Sequence, residues 1–267
     1  MVGPKSLTAF QLFARRSWMT FKIFLTVPLT TMLILSAGCA SKSNNSGAGP
    51  VPTGKMGTGL IQGKVILTGK IPDPVMIRMD ADPLCRAQHP GPMPDESVVA
   101  DAKGDLANVL VYVQDGAAVY APPSTPVTLI QQGCRYSPHV FGVQTRQSIE
   151  IFNHDPTLHN VHAMAVTNDG FNVGQTQDAK SEKSFSQPEV PIKIRCDIHG
   201  WMKCYLGVFD HPFFSVTGKD GAFKITGLPA GAYTLVAWQE TYGFSSPQKV
   251  NVQEGQTQTI NFTFSAP

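Results

Sequence analysis

The feature of this sequence that most limits its fold is a series of short runs in which apolar and polar residues alternate. Clusters of Gly, Pro and Asp separate the runs, which are rich in β-branched residues. Alternation with a period of two is typical of β-strands that bury one face. No run shows the sustained helical spacing of apolar residues. Representative runs are LIQGKVIL at 60–67, NVLVYV at 108–113, SIEIF at 148–152, VPIKIRC at 190–196 and YTLVAW at 233–238.

The number of turn-forming residues agrees with this pattern. The chain has 24 Gly and 21 Pro, the two residue types that most often set the backbone of tight turns. Many short strands joined by such turns are typical of β-sandwiches. An all-β region of roughly 200 residues can form one large sandwich or two small ones. We expect two.

The N-terminal region has the pattern of an export signal. Residues 1–38 contain four basic residues and no acidic one, and an apolar stretch leads directly to Cys39. That stretch is shorter than the roughly 20 apolar residues that a membrane-spanning helix needs. The segment LSAGC at 35–39 resembles the cleavage motif of bacterial lipoproteins, which implies lipidation at Cys39. Cleavage as an ordinary signal peptide is the alternative.

Residues 39–58 are rich in Ser, Gly, Asn and Pro and poor in apolar residues, so we expect a flexible tether. The lipoprotein resemblance implies export and a lipid anchor in the cell envelope. Ala40, rather than Asp, follows the lipidated cysteine. By resemblance to a known lipoprotein sorting rule, this favours the outer membrane over the inner membrane.

Net charge argues against a nucleic-acid partner. Residues 1–38 hold four of the 21 Lys and Arg residues and none of the 19 Asp and Glu residues, which leaves 17 basic against 19 acidic side chains. The remaining chain is therefore nearly neutral. A polyanion-binding surface normally needs an excess of basic residues.

The strongest chemical motif is CDIHGWM at 196–202. It places Cys196, His199 and Met202 at a spacing of Cys-x-x-His-x-x-Met. A thiolate, an imidazole and a thioether together favour copper, and two histidines with one cysteine and a weak methionine form the ligand set of electron-transfer copper sites. A second histidine must come from elsewhere in the chain.

The segment NHDPTLHNVH at 153–162 supplies that histidine, and with it the chain resembles the cupredoxins. Cupredoxins provide a first ligand from a His-Asn pair after a strand, and three more from a late loop. The loop spacing is similar to that of amicyanin. The resemblance implies one copper ion per chain, held by His159, Cys196, His199 and Met202. It also implies that Asn160 braces the two ligand segments and that an exposed edge of His199 is the electron port.

Strand parity supports these ligands independently of the resemblance. Ile192, Ile194 and Cys196 fall on one face of their strand, because side chains alternate across a sheet. By the same rule His159 shares a face with Val161, whereas His162 lies on the opposite face. Trp201 is expected to shield the metal from water.

Other interpretations of the motif remain open at this point. Cys196 and Cys204 could form a disulfide with the histidines on the surface, or the site could take zinc, for which methionine is a poor ligand. Cys204 could also stand near the metal as a second thiol. An exported chain keeps disulfides, and assigning Cys196 to a metal leaves Cys85 with Cys134 as the preferred pair.

The C-terminal region carries a second resemblance. DGAFKITGLPAGAY at 220–233 is similar to the carboxypeptidase regulatory-like, or Cna-B-type, immunoglobulin-like modules. Such modules begin with one more strand, and GKVILTGKIP at 63–72 resembles that start. The copper domain would then be an insertion. Trp238, Tyr233 and Tyr242 could form a carbohydrate platform, although we expect Trp238 and Tyr233 in the core.

These interpretations combine into one expected architecture. The fold class is all-β, with a Greek-key cupredoxin sandwich and a small immunoglobulin-like β-sandwich module. The expected function is one-electron transfer through copper to a redox partner protein such as a cytochrome, and no enzymatic activity is expected. Copper storage or delivery and a structural or carbohydrate-binding envelope protein are the alternatives. The expected segments are 1–38 (signal peptide), 39–58 (tether), 59–124 (N-terminal β segment), 125–211 (copper domain) and 212–267 (module).

Overall fold

The computed structural model describes residues 51–267. The expected signal peptide, the lipidation site Cys39 and residues 39–50 of the expected tether lie outside the described residues. Within the described part of the chain, no helix is both long and apolar enough to cross a membrane.

Strands dominate residues 51–267, and the all-β prediction is confirmed. One short helix, α1 (Pro83–Gln88), interrupts them. The strands are β1 (Gly59–Thr68), β2 (Met76–Ile77), β3 (Met93–Pro94), β4 (Leu110–Asp115), β5 (Val127–Gln131), β6 (Tyr136–Ser137), β7 (Val140–Gln144), β8 (Ile149–Asn153), β9 (His159–Met164), β10 (Phe171–Gln175), β11 (Lys180–Lys183), β12 (Glu189–Arg195), β13 (Lys203–Phe209), β14 (Phe214–Val216), β15 (Ala222–Leu228), β16 (Gly231–Gln239), β17 (Gly243–Phe244), β18 (Gln248–Val252), β19 (Thr257–Thr259) and β20 (Phe262–Ser265).

The middle of the chain forms the sandwich that carries the predicted ligands. One sheet has the order β10-β9-β12-β13-β7, and the other has the order β11-β8-β5-β6. The two sheets share one apolar core, to which Leu129, Ile151, Val161, Ile192 and Leu206 contribute. We call this the ligand sandwich. Its inward residues alternate along each strand, as the sequence pattern predicts.

The two ends of the chain build the second sandwich together. β1 pairs antiparallel with β15 and parallel with β19 and β20, whereas β4 pairs with β14 and β16 in a separate sheet. Both sheets contribute to one core. β1 and β4 therefore lie in the sheets of the C-terminal module. In chain order, residues 125–211 lie between these two strands and the other strands of the module, which begin with β14.

The expected N-terminal β segment 59–124 is thus not one unit. β1 and β4 belong to the C-terminal module, whereas Ile77, Met79, Cys85 and Met93 pack against the core of the ligand sandwich. Alternation in the sequence marks a strand but does not identify its partner strand. The resemblance at 63–72 predicted that β1 belongs to the module, and its pairing with β15, β19 and β20 agrees. The placement of β4 in the module and of residues 77–93 against the ligand sandwich was not predicted.

The last residues of the expected tether are bound to the module. The backbone N–H groups of Thr53 and Gly54 donate to the carbonyl of Val119, and the N–H of Gly57 donates to the carbonyl of Gly227. The tether prediction is wrong for this stretch. Its polar, Gly-rich composition fits a surface segment that uses backbone hydrogen bonds instead of apolar burial.

A third, smaller core joins the two sandwiches. It contains residues of both, namely Leu110, Tyr112, Val140, Phe209, Val236 and Trp238. Beside it, the carboxylate of Glu240 lies 2.8 Å from His139 Nε2 and 3.1 Å from Lys203 Nζ. Trp238 and Tyr233 are both buried, so they offer no exposed carbohydrate platform.

Gly63 tests the register of β1. A Cβ atom at this position would lie 1.6 Å from the carbonyl oxygen of Ile260, where β1 changes partner from β19 to β20. Gly63→Ala is expected to lower the free energy of unfolding by about 1–3 kcal/mol, because the backbone around Ile260 must move. Urea denaturation measures the change.

Gly174→Ala is the matched control. Gly174 lies in β10, and a Cβ there would meet no atom within 4 Å. We expect its unfolding free energy to stay within about 0.5 kcal/mol of wild type. Equal effects of the two substitutions would contradict the described crossing at Ile260.

Candidate metal centre

β9 brings the first predicted ligand into the interior of the ligand sandwich. His159 begins β9 and is completely buried, and Val161 and Ala163 share its inward face. His162 lies on the other face, where its Nδ1 is 3.0 Å from the Asp197 carboxylate. Strand alternation thus separates the two histidines as the parity argument predicts.

The loop after β12 holds the other predicted ligands. Ile192, Ile194 and Cys196 are buried, whereas Lys193 and Arg195 are exposed. Since β12 points alternate residues inward, the thiol enters the core at the end of the strand.

Backbone hydrogen bonds close that loop. The Cys196 N–H donates to the carbonyl of Met202, and the Met202 N–H donates to the carbonyl of His199. The His199 N–H lies 3.4 Å from the Cys196 sulfur. Met202 is only 1% exposed and belongs to the same core as Cys196. Hydrogen bonds within its own backbone therefore order the loop.

Three of the four predicted ligands meet at one point. One donor atom each from His159, Cys196 and His199 lies within 4.8 Å of the other two. The two Nδ1 atoms are 2.9 Å apart, and the Cys196 sulfur is 3.8 Å from His199 Nδ1. The three side chains are at most 3% exposed. Together they could hold a metal ion.

Each imidazole has a carboxylate on its far nitrogen. His159 Nε2 lies 2.9 Å from Asp155 Oδ2, and His199 Nε2 lies 3.0 Å from Asp82 Oδ2. If each Nε2–H donates to its carboxylate, a neutral ring keeps a lone pair on Nδ1. Two such lone pairs and a thiolate then face the same buried space, which requires a cation: a proton or a metal ion.

The pKa shifts describe the proton-bound state of this group. Burial disfavours the charged forms of both Cys196 and His159, but their opposite charges attract each other, and this attraction together with further partners outweighs burial. The pKa of Cys196 falls to about 6, helped by backbone N–H groups. The pKa of His159 rises to about 9, since Asp155 also stabilises the imidazolium. Between these values the metal-free group holds a thiolate and an imidazolium.

The residues predicted to support the ligands lie beside them. Asn160 Oδ1 accepts from the Asp197 N–H at 2.7 Å and lies 3.3 Å from the Cys196 sulfur. It therefore ties β9 to the ligand loop. The Trp201 ring is half-buried, 5.1 Å from the His199 ring between centroids, and its Nε1–H donates to the carbonyl of Cys134.

Two carboxylates of the centre were missed in the sequence. Asp155 lies in the ligand segment at 153–162, four residues before His159, so its proximity could have been suspected. Asp82 lies 117 positions before His199, and no spacing pattern links the two.

The expected electron port is wrong. His199 is 3% exposed, with the Asp82 carboxylate 3.0 Å from its Nε2 and the Trp201 ring 5.1 Å away. The cupredoxin resemblance could not indicate this, because it covers residues 153–162 and 196–202 and does not include Asp82.

The cysteines divide into one bridge and two thiols. Cys85 and Cys134 form a disulfide, whereas Cys196 and Cys204 are free and buried. Cys204 lies in β13 opposite Ile194, in the apolar core. Burial raises the pKa of its thiol well above the ordinary value, so it stays neutral.

Among residues 51–267, two further groups bring histidine, cysteine and carboxylate atoms together. They are Asp82 with Cys85 and His199, and Cys134 with Asp155 and His159. Each includes a cysteine of the disulfide, which has no thiolate to offer. The group of His159, Cys196 and His199 is the one that retains its thiol.

Comparison with known proteins supports one part of the architecture directly. Residues 211–265 match the family model of the carboxypeptidase regulatory-like domain. The prediction of this module is therefore confirmed. The search of curated proteins found no match.

The solved structures similar to this chain include copper proteins. A Cu-containing nitrite reductase from Thermus scotoductus is 22% identical with a TM-score of 0.30, over 37% of this chain and 25% of the reductase chain. A purple cupredoxin from Nitrosopumilus maritimus is 19% identical with a TM-score of 0.27, over 31% and 98%. Amicyanin from Paracoccus versutus is 17% identical with a TM-score of 0.29, over 37% and 96%. TM-scores below 0.5 establish no shared function. The evidence for a metal site is therefore the arrangement of His159, Cys196 and His199 in this chain.

The metal-free protein should show a thiolate at unusually low pH. As the pH rises through about 6, Cys196 loses its proton, and the ultraviolet absorbance of thiolate should increase. An ordinary cysteine titrates near 8.5. A pH titration of the purified protein measures the midpoint.

Cys204→Ser is the matched control for this titration. It should leave the midpoint unchanged because Cys204 is a buried neutral thiol, whereas Cys196→Ser should remove the transition. A wild-type midpoint above pH 8 would contradict the described charge pair.

Proposed function

We propose that this protein binds one copper ion and transfers single electrons through it. His159, Cys196 and His199 would hold the ion, and the thioether of Met202 would be a fourth, weaker ligand. The observation that carries this proposal is that one donor atom each of the buried His159, Cys196 and His199 lies within 4.8 Å of the other two, with the two Nδ1 atoms 2.9 Å apart. Two histidines, a cysteine and a weak methionine form the ligand set of electron-transfer copper proteins.

The donor chemistry favours copper over zinc. A Cys196 pKa of about 6 makes this ligand a thiolate at neutral pH, which suits both metals, so the methionine decides between them. Structural zinc sites are closed by four strong ligands, and Met202 is a poor one. Bound copper supplies a couple between Cu(II) and Cu(I).

The protein would contribute a fixed, dry environment to that couple. The loop at 196–202 is closed by its own hydrogen bonds, and Asn160 ties it to β9. Ligands that are held in place need little rearrangement when the charge of the metal changes. Burial of the site also excludes water, which keeps its coordination positions for the protein ligands.

Burial separates electron transfer from copper storage or delivery. A delivery site must release its ion to a partner, and ligand exchange normally needs access to the metal. Here Asp82 and Trp201 flank His199, and His159 is completely buried. A resident, slowly exchanging ion fits this arrangement better than a transported one.

The route for electrons is proposed to use Trp201. Since His199 has no exposed edge, a partner cannot approach that ring directly. The half-buried Trp201 ring, whose centroid is 5.1 Å from that of His199, is a partly exposed aromatic group within contact distance of a ligand ring. The proposed partner is a redox protein such as a cytochrome. A lipid anchor in the cell envelope stays a prediction from residues 1–39.

Addition of Cu(II) to the metal-free protein tests the proposed site. At one equivalent, wild type should develop an intense visible band from charge transfer between thiolate and copper. Cys196→Ser should lose the band because its sulfur donor is gone. His159→Ala and His199→Ala should weaken copper binding, as each removes one equatorial nitrogen.

His154→Ala is the matched control, because His154 is exposed and stacks on Phe152 instead of facing the site. It should retain the band. Reversible reduction and slow loss of copper to a chelator would support electron transfer over delivery. A colourless wild-type protein would contradict the proposal.

A further inference from the structure

Asp82 connects a short helix to the proposed metal centre. It is the N-cap of α1, and its Oδ1 accepts from the N–H groups of Leu84 at 2.7 Å and Cys85 at 3.1 Å. Its other oxygen, Oδ2, lies 3.0 Å from His199 Nε2 and 3.2 Å from the Thr157 hydroxyl. One carboxylate therefore caps the helix and contacts a ligand ring.

The Cys85–Cys134 disulfide holds α1 in that place. On the opposite side of the bridge, the Cys134 N–H donates to Asp155 Oδ2 at 2.8 Å, and the Gly133 N–H donates to Oδ1 at 2.7 Å. The Asp155 carboxylate contacts His159. The same covalent link thus fixes the positions of two carboxylates, one for each ligand histidine.

A carboxylate partner determines which ring nitrogen can bind metal. An ionised carboxylate only accepts hydrogen bonds, so the nitrogen facing it must carry the hydrogen. For His199 this places the hydrogen on Nε2 and leaves the Nδ1 lone pair directed at His159 and Cys196. Such partners of metal-binding histidines also make the ring a stronger donor.

We propose that Asp82 is a positioning residue of the copper site, acting through His199. It keeps the hydrogen of His199 on Nε2, and its negative charge stabilises Cu(II) relative to Cu(I). This inference rests on the proposed function, because it concerns the same ligand histidine. Asp155 plays the corresponding part for His159, but its carboxylate also accepts two backbone N–H groups, so Asp82 is the cleaner position to vary.

Two substitutions separate this role from helix capping, since Asn and Ser both serve as N-caps. In Asp82→Asn, the amide oxygen must keep the helix N–H groups, so the amide NH₂ replaces Oδ2 and faces His199 Nε2. The ring is then favoured with its hydrogen on Nδ1, where it blocks the metal. In Asp82→Ser, the shorter side chain caps the helix and leaves Nε2 without a carboxylate.

Asp101→Asn is the matched control. The Asp101 side chain also accepts from two backbone N–H groups, those of Lys103 and Asp105, at a turn. No ligand histidine is among its partners. Asp101→Asn therefore measures the effect of replacing an Asp that accepts backbone N–H groups but does not contact the metal centre.

Three measurements on the purified full chain test the proposal. They are the dissociation constants of Cu(II) and Cu(I) from competition with chelators, the reduction potential, and the His199 tautomer by ¹⁵N NMR of the metal-free protein. Cu(II) affinity should fall in the order wild type, Asp82→Ser, Asp82→Asn, by about 10–100-fold. Cu(I) affinity should fall less. Each tenfold difference between the two changes raises the potential by about 59 mV.

The outcomes distinguish this inference from the proposed function. If wild type binds copper with a thiolate band and both Asp82 variants match the Asp101→Asn control, the positioning role is overturned and the copper site stands. If wild type binds no copper, the proposed function fails. The NMR measurement then still decides whether Asp82 holds the hydrogen on Nε2, and an unchanged tautomer in Asp82→Asn would overturn that as well.

Discussion

The structure of the centre depends on one electrostatic constraint. Three metal-binding atoms that carry lone pairs, two imidazole nitrogens and one sulfur, face the same buried space, and a positive charge is needed among them. His159 and His199 turn their Nδ1 atoms toward each other at 2.9 Å, and the Cys196 sulfur lies beside them. A carboxylate lies at hydrogen-bond distance from each Nε2 atom. Without a cation this arrangement would repel itself in a site of low dielectric constant. The thiolate and imidazolium of the metal-free state are the simplest compensation, and a metal ion is the other.

The surrounding fold supplies the rigidity that this constraint needs. Ligands come from two neighbouring strands of one sheet, β9 and the end of β12, which pair through Ile194 and Ala163. The third element, α1, lies outside the sheets and reaches the site through Asp82. Its disulfide to Cys134 compensates for the few backbone contacts of a six-residue helix. A covalent link of this kind costs the unfolded chain more entropy than the folded one.

Much of this arrangement could be predicted from the sequence, because it follows from alternation. Parity alone placed Cys196 inside and separated His159 from His162, and the Cys-x-x-His-x-x-Met spacing brought the loop together. Strand parity does not predict which distant segments contact each other. Asp82 contacts His199 across 117 positions, and no pattern in the sequence indicates this. The pairing of β1 with strands at the other end of the chain was predicted only through the resemblance of residues 63–72 to the start of the module. The prediction of an exposed His199 edge was wrong for the same reason, because Asp82, which contacts that edge, lies outside the two segments that resemble cupredoxins. The lipid anchor on Cys39 stays a prediction.

In the proposed site, copper is bound by one sulfur and two imidazoles in the core of the ligand sandwich. X-ray absorption at the copper edge of the loaded protein measures this coordination shell directly. The proposed site predicts one short copper–sulfur bond and two imidazole nitrogens, with any methionine sulfur at longer distance. A shell of nitrogen and oxygen alone would contradict it, and two short sulfur bonds would bring Cys204 into the site against its position in β13.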